Sequence, residues 1–330
     1  METLSKLIGN TKVVKLSHIG DKKGIIHLKM SLLNPSGSIK DVMAAYMLKQ
    51  AEKNKLIKPG GKILEVTTGN TGIAFSMLSS VKGYEFISVM PEHMSIERRQ
   101  MMKAFGARIV LTPKELDVAG AIDRYEELKG VYPDAWLPNQ FGNTDNIEAH
   151  RVYTGSEILK QVQGKIDFIV AGVGTGGTLI GSATAIKDKY PDCRVVAVEP
   201  EESSVLLGGS AGMHGIQGIG EGFIPEIIEN NRDMIDSVIS VSTTQAMDMA
   251  RRLAIEEGIM AGISSGANLF ASLKVLEENP GARIVTIAPD RGERYLNLGL
   301  YGCNAQTCKD SSFCQSGGVS SEKLKLSELL

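Results

Sequence analysis

Short runs of β-branched residues that end near a glycine and lead into a helical pattern recur along this chain of 330 residues. The first clear run, residues 62–66, is followed by the glycine-containing segment 67–72 and by a helical apolar pattern over residues 73–81. A strand followed by a helix that returns the chain to a neighbouring strand is the unit of a parallel sheet. The sequence therefore predicts an α/β fold with mostly parallel sheets flanked by helices.

The same pattern extends over most of the chain. Further strands are predicted over residues 85–89, 108–111, 167–171, 194–198, 237–242 and 283–288, and helices over residues 42–52, 95–105, 146–163 and 178–190, with two more on either side of residues 261–266. A chain of this length favours two domains, each with its own central sheet. We place a smaller, mobile domain at residues 35–145, a larger domain at 1–34 and 146–305, and a polar tail at 306–330.

Charge and hydropathy exclude two classes of partner. The 36 Lys and Arg residues and the 38 Asp and Glu residues give a formal charge of −2, so no basic surface for a nucleic acid is predicted. No apolar run approaches the roughly 20 residues that cross a bilayer, and residues 1–10 lack a basic segment followed by a long apolar stretch. The sequence therefore predicts a cytoplasmic protein that binds neither nucleic acid nor membrane.

The four cysteines do not follow the pattern of an extracellular disulfide framework. Cys193 stands alone, whereas Cys303, Cys308 and Cys314 lie together near the end of the chain. A tetrahedral zinc site needs four ligands, and none of the five histidines lies near this cluster in the sequence. We therefore expect unpaired thiols and no metal site.

A glycine-rich loop between a predicted strand and a predicted helix is the first candidate binding site. Residues 171–178 read AGVGTGGT, and glycines allow backbone N–H groups to approach anionic oxygens at the positive end of a helix. The loop therefore favours a phosphorylated ligand. Because Gly172, Gly174 and Gly177 also satisfy the pattern GxGxxG, with Glu199 about 20 residues further on, an NAD-dependent oxidoreductase is one alternative.

Three further segments of small and polar residues bear on this choice. Residues 34–41, NPSGSIKD, lead to Lys40 before a helical pattern, and a desolvated lysine near a phosphate site can form an imine with an aldehyde cofactor. Residues 67–72, TTGNTG, offer hydroxyl, amide and backbone N–H groups that suit a carboxylate. Residues 262–267, GISSGA, place hydroxyls at a helix start. Helix capping is the alternative explanation of the last two segments.

Together these segments resemble the cysteine synthase family, the fold-type II pyridoxal-phosphate enzymes with a tryptophan synthase β-like fold, over almost the whole chain from Leu7 to about Leu300. Further segments similar to those of O-acetylserine sulfhydrylases occur in the same order: MPEHMSIERR at 90–99, FGA at 105–107, QF at 140–141, HGIQGIG at 214–220, GFIP at 222–225 and GERYL at 292–296. An unrelated dehydrogenase would not match all of them.

The resemblance implies pyridoxal 5'-phosphate as the cofactor and the larger domain as its main binding site. Lys40 would form the Schiff base and then act as general base and acid. The remaining cofactor-binding residues would be Gly174, Thr175, Gly176, Gly177 and Thr178 at the phosphate, Asn70 at the ring hydroxyl and Ser264 at the pyridine nitrogen. A neutral hydroxyl at that nitrogen does not enforce its protonation, which favours elimination of a β-substituent over transamination.

The resemblance also implies a substrate site and a reaction. The expected substrate-binding residues are Thr67, Thr68, Gly69, Thr71, Gln140 and Gly220. Binding of the substrate carboxylate would draw the smaller domain inward and exclude water. The implied reaction is β-replacement on an L-serine derivative through an aminoacrylate, with O-acetylserine and sulfide giving cysteine and acetate. A homodimer is expected on the same grounds.

Glu221 departs from the pattern of the sulfhydrylases, which usually have a small neutral residue at this position. A carboxylate there would repel hydrosulfide but would orient or deprotonate a neutral nucleophile, so we predict a catalytic role for Glu221. Two alternatives therefore stay open. The first is an enzyme that consumes L-cysteine, releases hydrogen sulfide and forms lanthionine or serine. The second is a diaminopropionate-type synthase that forms amino-carboxyethyl-glutamate.

Overall fold

The computed structural model describes residues 4–67 and 69–302, and two β-sheets organise this part of the chain. The larger sheet contains β1 (Val13–Lys15), β2 (Ile25–Lys29), β6 (Phe168–Gly172), β7 (Arg194–Pro200), β8 (Ser237–Val241) and β9 (Arg283–Ile287), and the smaller sheet contains β3 (Lys62–Val66), β4 (Glu85–Pro91) and β5 (Arg108–Thr112). The strand orders are β1-β2-β9-β6-β7-β8 and β3-β4-β5. All of these pairs are parallel except β1 with β2, which confirms the predicted fold class.

Helices lie on both faces of each sheet. They are α1 (Lys40–Lys53), α2 (Asn70–Lys82), α3 (Ile96–Ala104), α4 (Asp117–Val131), α5 (Asp145–Ala149), α6 (Ser156–Gln161), α7 (Gly177–Lys189), α8 (Glu226–Glu229), α9 (Thr243–Glu257) and α10 (Ile263–Glu278). Helices α1 and α2 cover one face of the smaller sheet and α4 covers the other. In the larger sheet, α9 and α10 cover one face and α6 and α7 cover the other.

Strands in which adjacent residues are apolar explain why helices pack on both faces of each sheet. Successive side chains of a strand point to opposite faces of a sheet, so a strand that is buried on both faces carries apolar residues without alternation. In β6, Ile169 packs on the side of α7 and Val170 packs on the side of α10. The same division separates Ile63 from Leu64 in β3.

The predicted helix over residues 146–163 is wrong as one continuous α-helix. The chain forms α5, then a π-helix at His150–Gly155, and then α6. A Cβ atom on Gly155 would lie 2.5 Å from the Cβ of Ala185, and one on Gly181 would lie 2.2 Å from the Ile147 oxygen. The π-helix therefore lies directly against α7. Apolar periodicity does not reveal one wider turn, because the residues on either side of it keep helical spacing.

One further expectation is wrong, and three elements of the fold were not predicted. Residues 263–266, which we placed in a segment between two helices, form the first turn of α10. The strands β1 and β2 and the helix α4 were not predicted, although they supply one edge of the larger sheet and one face of the smaller sheet.

Several expectations remain predictions. The domain bounds are not tested by the sheet arrangement alone, and Cys303, Cys308 and Cys314 lie outside the described residues. Across residues 4–67 and 69–302, no helix combines the length and the apolar character that a membrane span requires. The same ranges contain no group of three or more metal-ligating side chains.

The aromatic cluster of the smaller sheet generates a stability prediction. Phe75 is fully buried between Phe86 and Trp136, with ring centroids 5.9 and 5.8 Å away. We expect Phe75→Ala to reduce the free energy of unfolding by about 3–5 kcal/mol, because it removes these contacts and leaves a cavity. Urea unfolding followed by circular dichroism measures the change. The control is Val131→Ala, since Val131 is 60% exposed; equal losses in the two variants would contradict the prediction.

Candidate active site

Lys40 is the first residue of α1, and the loop before it is attached to the segment that follows β9. The Ile39 N–H donates to the Pro289 oxygen at 2.7 Å, and the Arg291 N–H donates to the Gly37 oxygen at 3.2 Å. An isolated bridge also pairs Ser38 with Asp290. These backbone contacts fix where the Lys40 side chain leaves the main chain.

The surroundings of Lys40 favour its neutral amine. Burial lowers the pKa of Lys40, while the negative charges of Glu221 and Asp290 oppose that shift. Burial and then the positive charge of Lys40 lower the pKa of His150 to about 3, so this histidine is neutral near pH 7. Lys40 therefore lies within electrostatic reach of both carboxylates and of His150, and a larger fraction of its amine is unprotonated and able to react than for an exposed lysine.

The glycine loop over residues 174–178 forms the start of α7. Gly176 has φ +89° and precedes the first residue of this helix, Gly177. The first N–H groups of a helix have no partner within it and carry the positive end of the helix dipole. The first turn of α7 contains no acidic residue. The loop can therefore accept an anionic group such as a phosphate.

The side chains of Asn146 and His150 complete this anion site. Asn146 Nδ2 donates to Thr175 Oγ1 at 2.9 Å, and Asn146 Oδ1 is buried without a hydrogen-bond partner in the described part of the chain. The His150 ring nitrogen Nε2 lies 3.2 Å from Thr178 Oγ1. A Cβ atom on Gly177 would lie 2.1 Å from Asn146 Oδ1, so only glycine fits there. The space and the donors fit a phosphorylated cofactor.

The sequence did not identify Asn146 and His150 as site residues. Together with Thr154, whose hydroxyl lies 2.9 Å from His150 Nδ1, they recur every four residues in a buried helical segment. A polar row of this kind inside an otherwise buried helix was the available signal.

The segment over residues 67–72 lies at the start of α2. Thr67 Oγ1 accepts from the Gly72 N–H at 3.1 Å, so this hydroxyl caps the helix, while its own hydrogen remains able to donate. Thr71 Oγ1 donates to Gln140 Oε1 at 2.7 Å, which brings these two predicted residues together. Gly69 is the residue before the helix. Thr68 lies outside the described residues, so its role stays a prediction.

The buried carboxyl group of Glu65 accepts a hydrogen bond from the backbone N–H of Gln140. The sequence did not identify Glu65 as a site residue. Burial raises the pKa of Glu65 to about 8, against the opposing effect of the backbone N–H groups of Gln140, Val66 and Asn139. Asn139 adopts a positive φ of 52°, a conformation that needs support from its surroundings. A single acidic residue inside the apolar strand β3 was the signal for a buried carboxyl group.

Asn70 and Ser264 are brought close to one residue, Asp290. Asn70 Nδ2 donates to Asp290 Oδ2 at 2.7 Å. Ser264 is buried in the first turn of α10, and the Gly262 N–H at the start of that helix donates to the Asp290 oxygen at 3.0 Å. Asp290 therefore contacts both Asn70, the first residue of α2, and Gly262, which precedes the helix α10 that carries Ser264.

Gly220 and Glu221 reach the site through the segment over residues 214–220. The Gly220 N–H donates to the Val173 oxygen at 3.0 Å, which attaches this segment to the glycine loop. Glu221 is exposed. Partial desolvation raises the pKa of Glu221, while Lys40, His214 and Arg98 oppose the shift. Its carboxylate therefore lies near the amine of Lys40.

Comparison with known proteins agrees with this geometry. Residues 4–290 match the family described as Pyridoxal-phosphate dependent enzyme. The chain is 46% identical over 304 residues to a cysteine synthase from Staphylococcus aureus, covering 91% of this chain and 97% of that protein. A solved cysteine synthase from Entamoeba histolytica is 42% identical, with a TM-score of 0.87 and coverage of 91% and 90%. A hydrogen sulfide-producing enzyme from Fusobacterium nucleatum is 39% identical, with a TM-score of 0.85 and coverage of 89% and 99%.

The contact between Gly177 and Asn146 generates a prediction about cofactor binding. We expect Gly177→Ala to weaken the binding of pyridoxal phosphate by about 100-fold, because the added carbon displaces Asn146 from the loop and the anion loses hydrogen bonds. Absorbance titration of the full chain with the cofactor measures the dissociation constant. Gly130→Ala is the control, since a Cβ there would meet nothing within 4 Å. Equal affinities in the two variants would refute the importance of this contact.

Proposed function

Because this chain belongs to the family of pyridoxal-phosphate-dependent enzymes, we propose that it replaces the β-substituent of a small L-amino acid, with O-acetylserine and sulfide giving cysteine and acetate. The observation that carries this proposal is the position of Lys40, whose desolvated amine lies within electrostatic reach of His150, a residue of the anion site at the start of α7. The family match makes the NAD-dependent alternative wrong, although the glycines of both motifs fall on the same loop.

The proposed roles divide between the cofactor and the chain. When bound, pyridoxal phosphate supplies an electron sink for negative charge that develops at the α-carbon of the amino acid. Lys40 takes the α-proton, because its neutral amine is available at lower pH than that of a solvated lysine. The start of α7 and the hydroxyls of Thr175 and Thr178 hold the phosphate, and neutral His150 orients the Thr178 hydroxyl.

The α-carboxylate of the substrate is assigned to the start of α2. Backbone N–H groups at this helix start and the amide N–H groups of the Gln140 side chain offer hydrogen-bond donors there, while the Thr71 hydroxyl donates to Gln140 Oε1 and orients that amide. Because Gln140 is bonded to Thr71 and lies beside buried Glu65, its amide is held before the substrate arrives. Such preorganisation lowers the entropic cost of substrate binding.

The substrate assignment has support from relatives. The proteins from S. aureus and E. histolytica are named cysteine synthases, and the chain covers at least 90% of each of them. The cytoplasmic location and the homodimer that we expect from the sequence remain proposals.

The role of Lys40 is tested by its removal. We expect Lys40→Ala to abolish the visible absorption of the lysine-bound cofactor and to reduce kcat by about 1,000-fold, because the proton-transfer group is lost. The measurements are absorption spectra and cysteine formation from O-acetylserine and sulfide. Lys49→Ala is the control, since Lys49 lies on the exposed face of the same helix. Wild-type turnover in the Lys40 variant would end the proposal.

A second candidate function is favoured by Glu221 and by the relative from F. nucleatum, which is named a hydrogen sulfide-producing enzyme. In this function the substrate is L-cysteine, its sulfur leaves as sulfide, and water or a second cysteine takes its place. The leaving sulfide and the incoming nucleophile both exchange protons. Glu221, whose raised pKa makes its carboxylate a stronger proton acceptor than that of a solvated glutamate, lies within electrostatic reach of Lys40.

The two candidate functions make different predictions for Glu221→Gln. If cysteine is the substrate, we expect sulfide release to fall by about 100-fold, because the amide accepts no proton, while cysteine formation from O-acetylserine and sulfide is retained. Both rates are measured over a range of pH. Glu229→Gln, at an exposed glutamate of α8, is the control. Unchanged sulfide release would remove Glu221 from the mechanism.

A further inference from the structure

The carboxylate of Asp290 is buried where three parts of the site meet. The residue is 1% exposed, and its Oδ2 atom accepts from Asn70 Nδ2 and from the Tyr295 hydroxyl, each at 2.7 Å. Its other oxygen, Oδ1, is buried without a hydrogen-bond partner in the described ranges. A buried carboxylate is costly unless neighbouring donors or charges stabilise it. Asp290 is therefore held there by specific contacts.

Arg294 supplies the compensating charge and binds the same amide from the other side. Its Nη1 atom donates to Asn70 Oδ1 at 2.8 Å and lies 3.9 Å from Asp290 Oδ2. Both ends of the Asn70 amide are thus occupied by ionic groups, and the second hydrogen of its Nδ2 atom remains free to donate to a ligand. The amide orientation is fixed by this pair.

The same arginine holds the loop that carries Lys40. Arg294 Nη1 donates to the Gly37 oxygen at 3.1 Å, and Arg294 Nη2 donates to the Ser36 oxygen. Asp41, the residue after Lys40, accepts hydrogen bonds from the N–H and the hydroxyl of Ser36. These bonds connect the loop before Lys40 to the first turn of α1. A displacement of Arg294 would therefore move Asn70 and the Lys40 loop together.

Asp290 also touches the start of α10. Its backbone oxygen accepts from the Gly262 N–H at 3.0 Å, and a Cβ atom on Gly262 would lie 2.0 Å from its Oδ1 atom. Ser264, the predicted partner of the cofactor nitrogen, lies two residues further on, in the first turn of α10. The helix start thus packs directly on the carboxylate.

We propose that Asp290 and Arg294 form a positioning pair. The pair fixes the relative positions of Asn70, the loop before Lys40 and the start of α10, so that all three face pyridoxal phosphate. The inference rests on the proposed cofactor contacts of Lys40, Asn70 and Ser264. Neither member of the pair is a catalytic residue, because each acts through groups that it holds in place.

The pair also has an electrostatic consequence that a purely structural contact would lack. The negative charge of Asp290 raises the pKa of Lys40, and Glu221 acts in the same direction. His150 also faces Lys40 but is neutral. Tyr295, Tyr301 and Arg294 also face Asp290, and Arg98 lies over the Tyr295 ring. Removing only the Asp290 charge therefore lowers the pKa of Lys40 further and makes its amine reactive at lower pH.

The experiment compares Asp290→Asn and Arg294→Lys in the full chain. We expect both variants to bind pyridoxal phosphate at least about tenfold more weakly, because Asn70 and the Lys40 loop lose ionic hydrogen bonds. In cofactor-free protein, the pH at which acetic anhydride acylates half of Lys40 is expected to fall in Asp290→Asn, on the order of one unit, and to stay unchanged in Arg294→Lys. Peptide mapping by mass spectrometry measures this acylation.

Glu199→Gln is the matched control, because Glu199 is another buried carboxylate at the end of a strand of the larger sheet and accepts from Leu206 and Leu207. An equal loss of cofactor affinity in this control would mean that the pair contributes only to the stability of the fold, and it would overturn the proposal. Wild-type affinity in either variant would also overturn it. If Asp290→Asn does not fold, the affinity of Arg294→Lys decides. The Lys40 titration does not depend on the reaction catalysed, so its outcome is independent of the proposed function.

Discussion

The desolvated amine of Lys40 is the constraint on which the rest of the site depends. A lysine that is both a nucleophile and a base must lose its proton near neutral pH, and burial achieves this only if nearby carboxylates do not compensate it fully. Glu221 and Asp290 both act against the effect of burial, yet the pKa of Lys40 remains lowered. The loop contacts before α1 hold the amine in this environment, so the position of the main chain determines its chemistry.

The anion site shows how local and tertiary structure combine. The glycine loop supplies backbone N–H groups at the start of α7, and this part follows from local sequence. The side chains that complete it, Asn146 and His150, come from α5 and the π-helix that pack against α7. The wider turn of the π-helix begins at His150 and places its ring between Thr154 and Thr178. An irregular helix is thus used at a functional position, as is common for π-helices.

The choice between the two candidate functions depends on charge in the cleft. Hydrosulfide is an anion and is disfavoured next to a carboxylate, whereas water or a neutral thiol gains a proton acceptor. Glu221 lies in the field of Lys40, His214 and Arg98, which all favour its charged form. The Arg98 guanidinium also reduces the repulsion that an incoming anion meets. On the proposed mechanism, the balance between these effects is what separates cysteine formation from cysteine consumption.

The sequence by itself determined the fold class, the glycine loop and the importance of Lys40, because these depend on periodicity and on short motifs whose parts are adjacent in the chain. It did not reveal the hydrogen bond between Asn70 and Asp290, which are 220 residues apart, or the hydrogen bond that Arg294 donates to the loop before Lys40. Both are made where the ends of β3 and β9 approach across two sheets. Local patterns carry no information on such contacts, since strand order and loop path decide which distant side chains meet, and only the tertiary structure decided them.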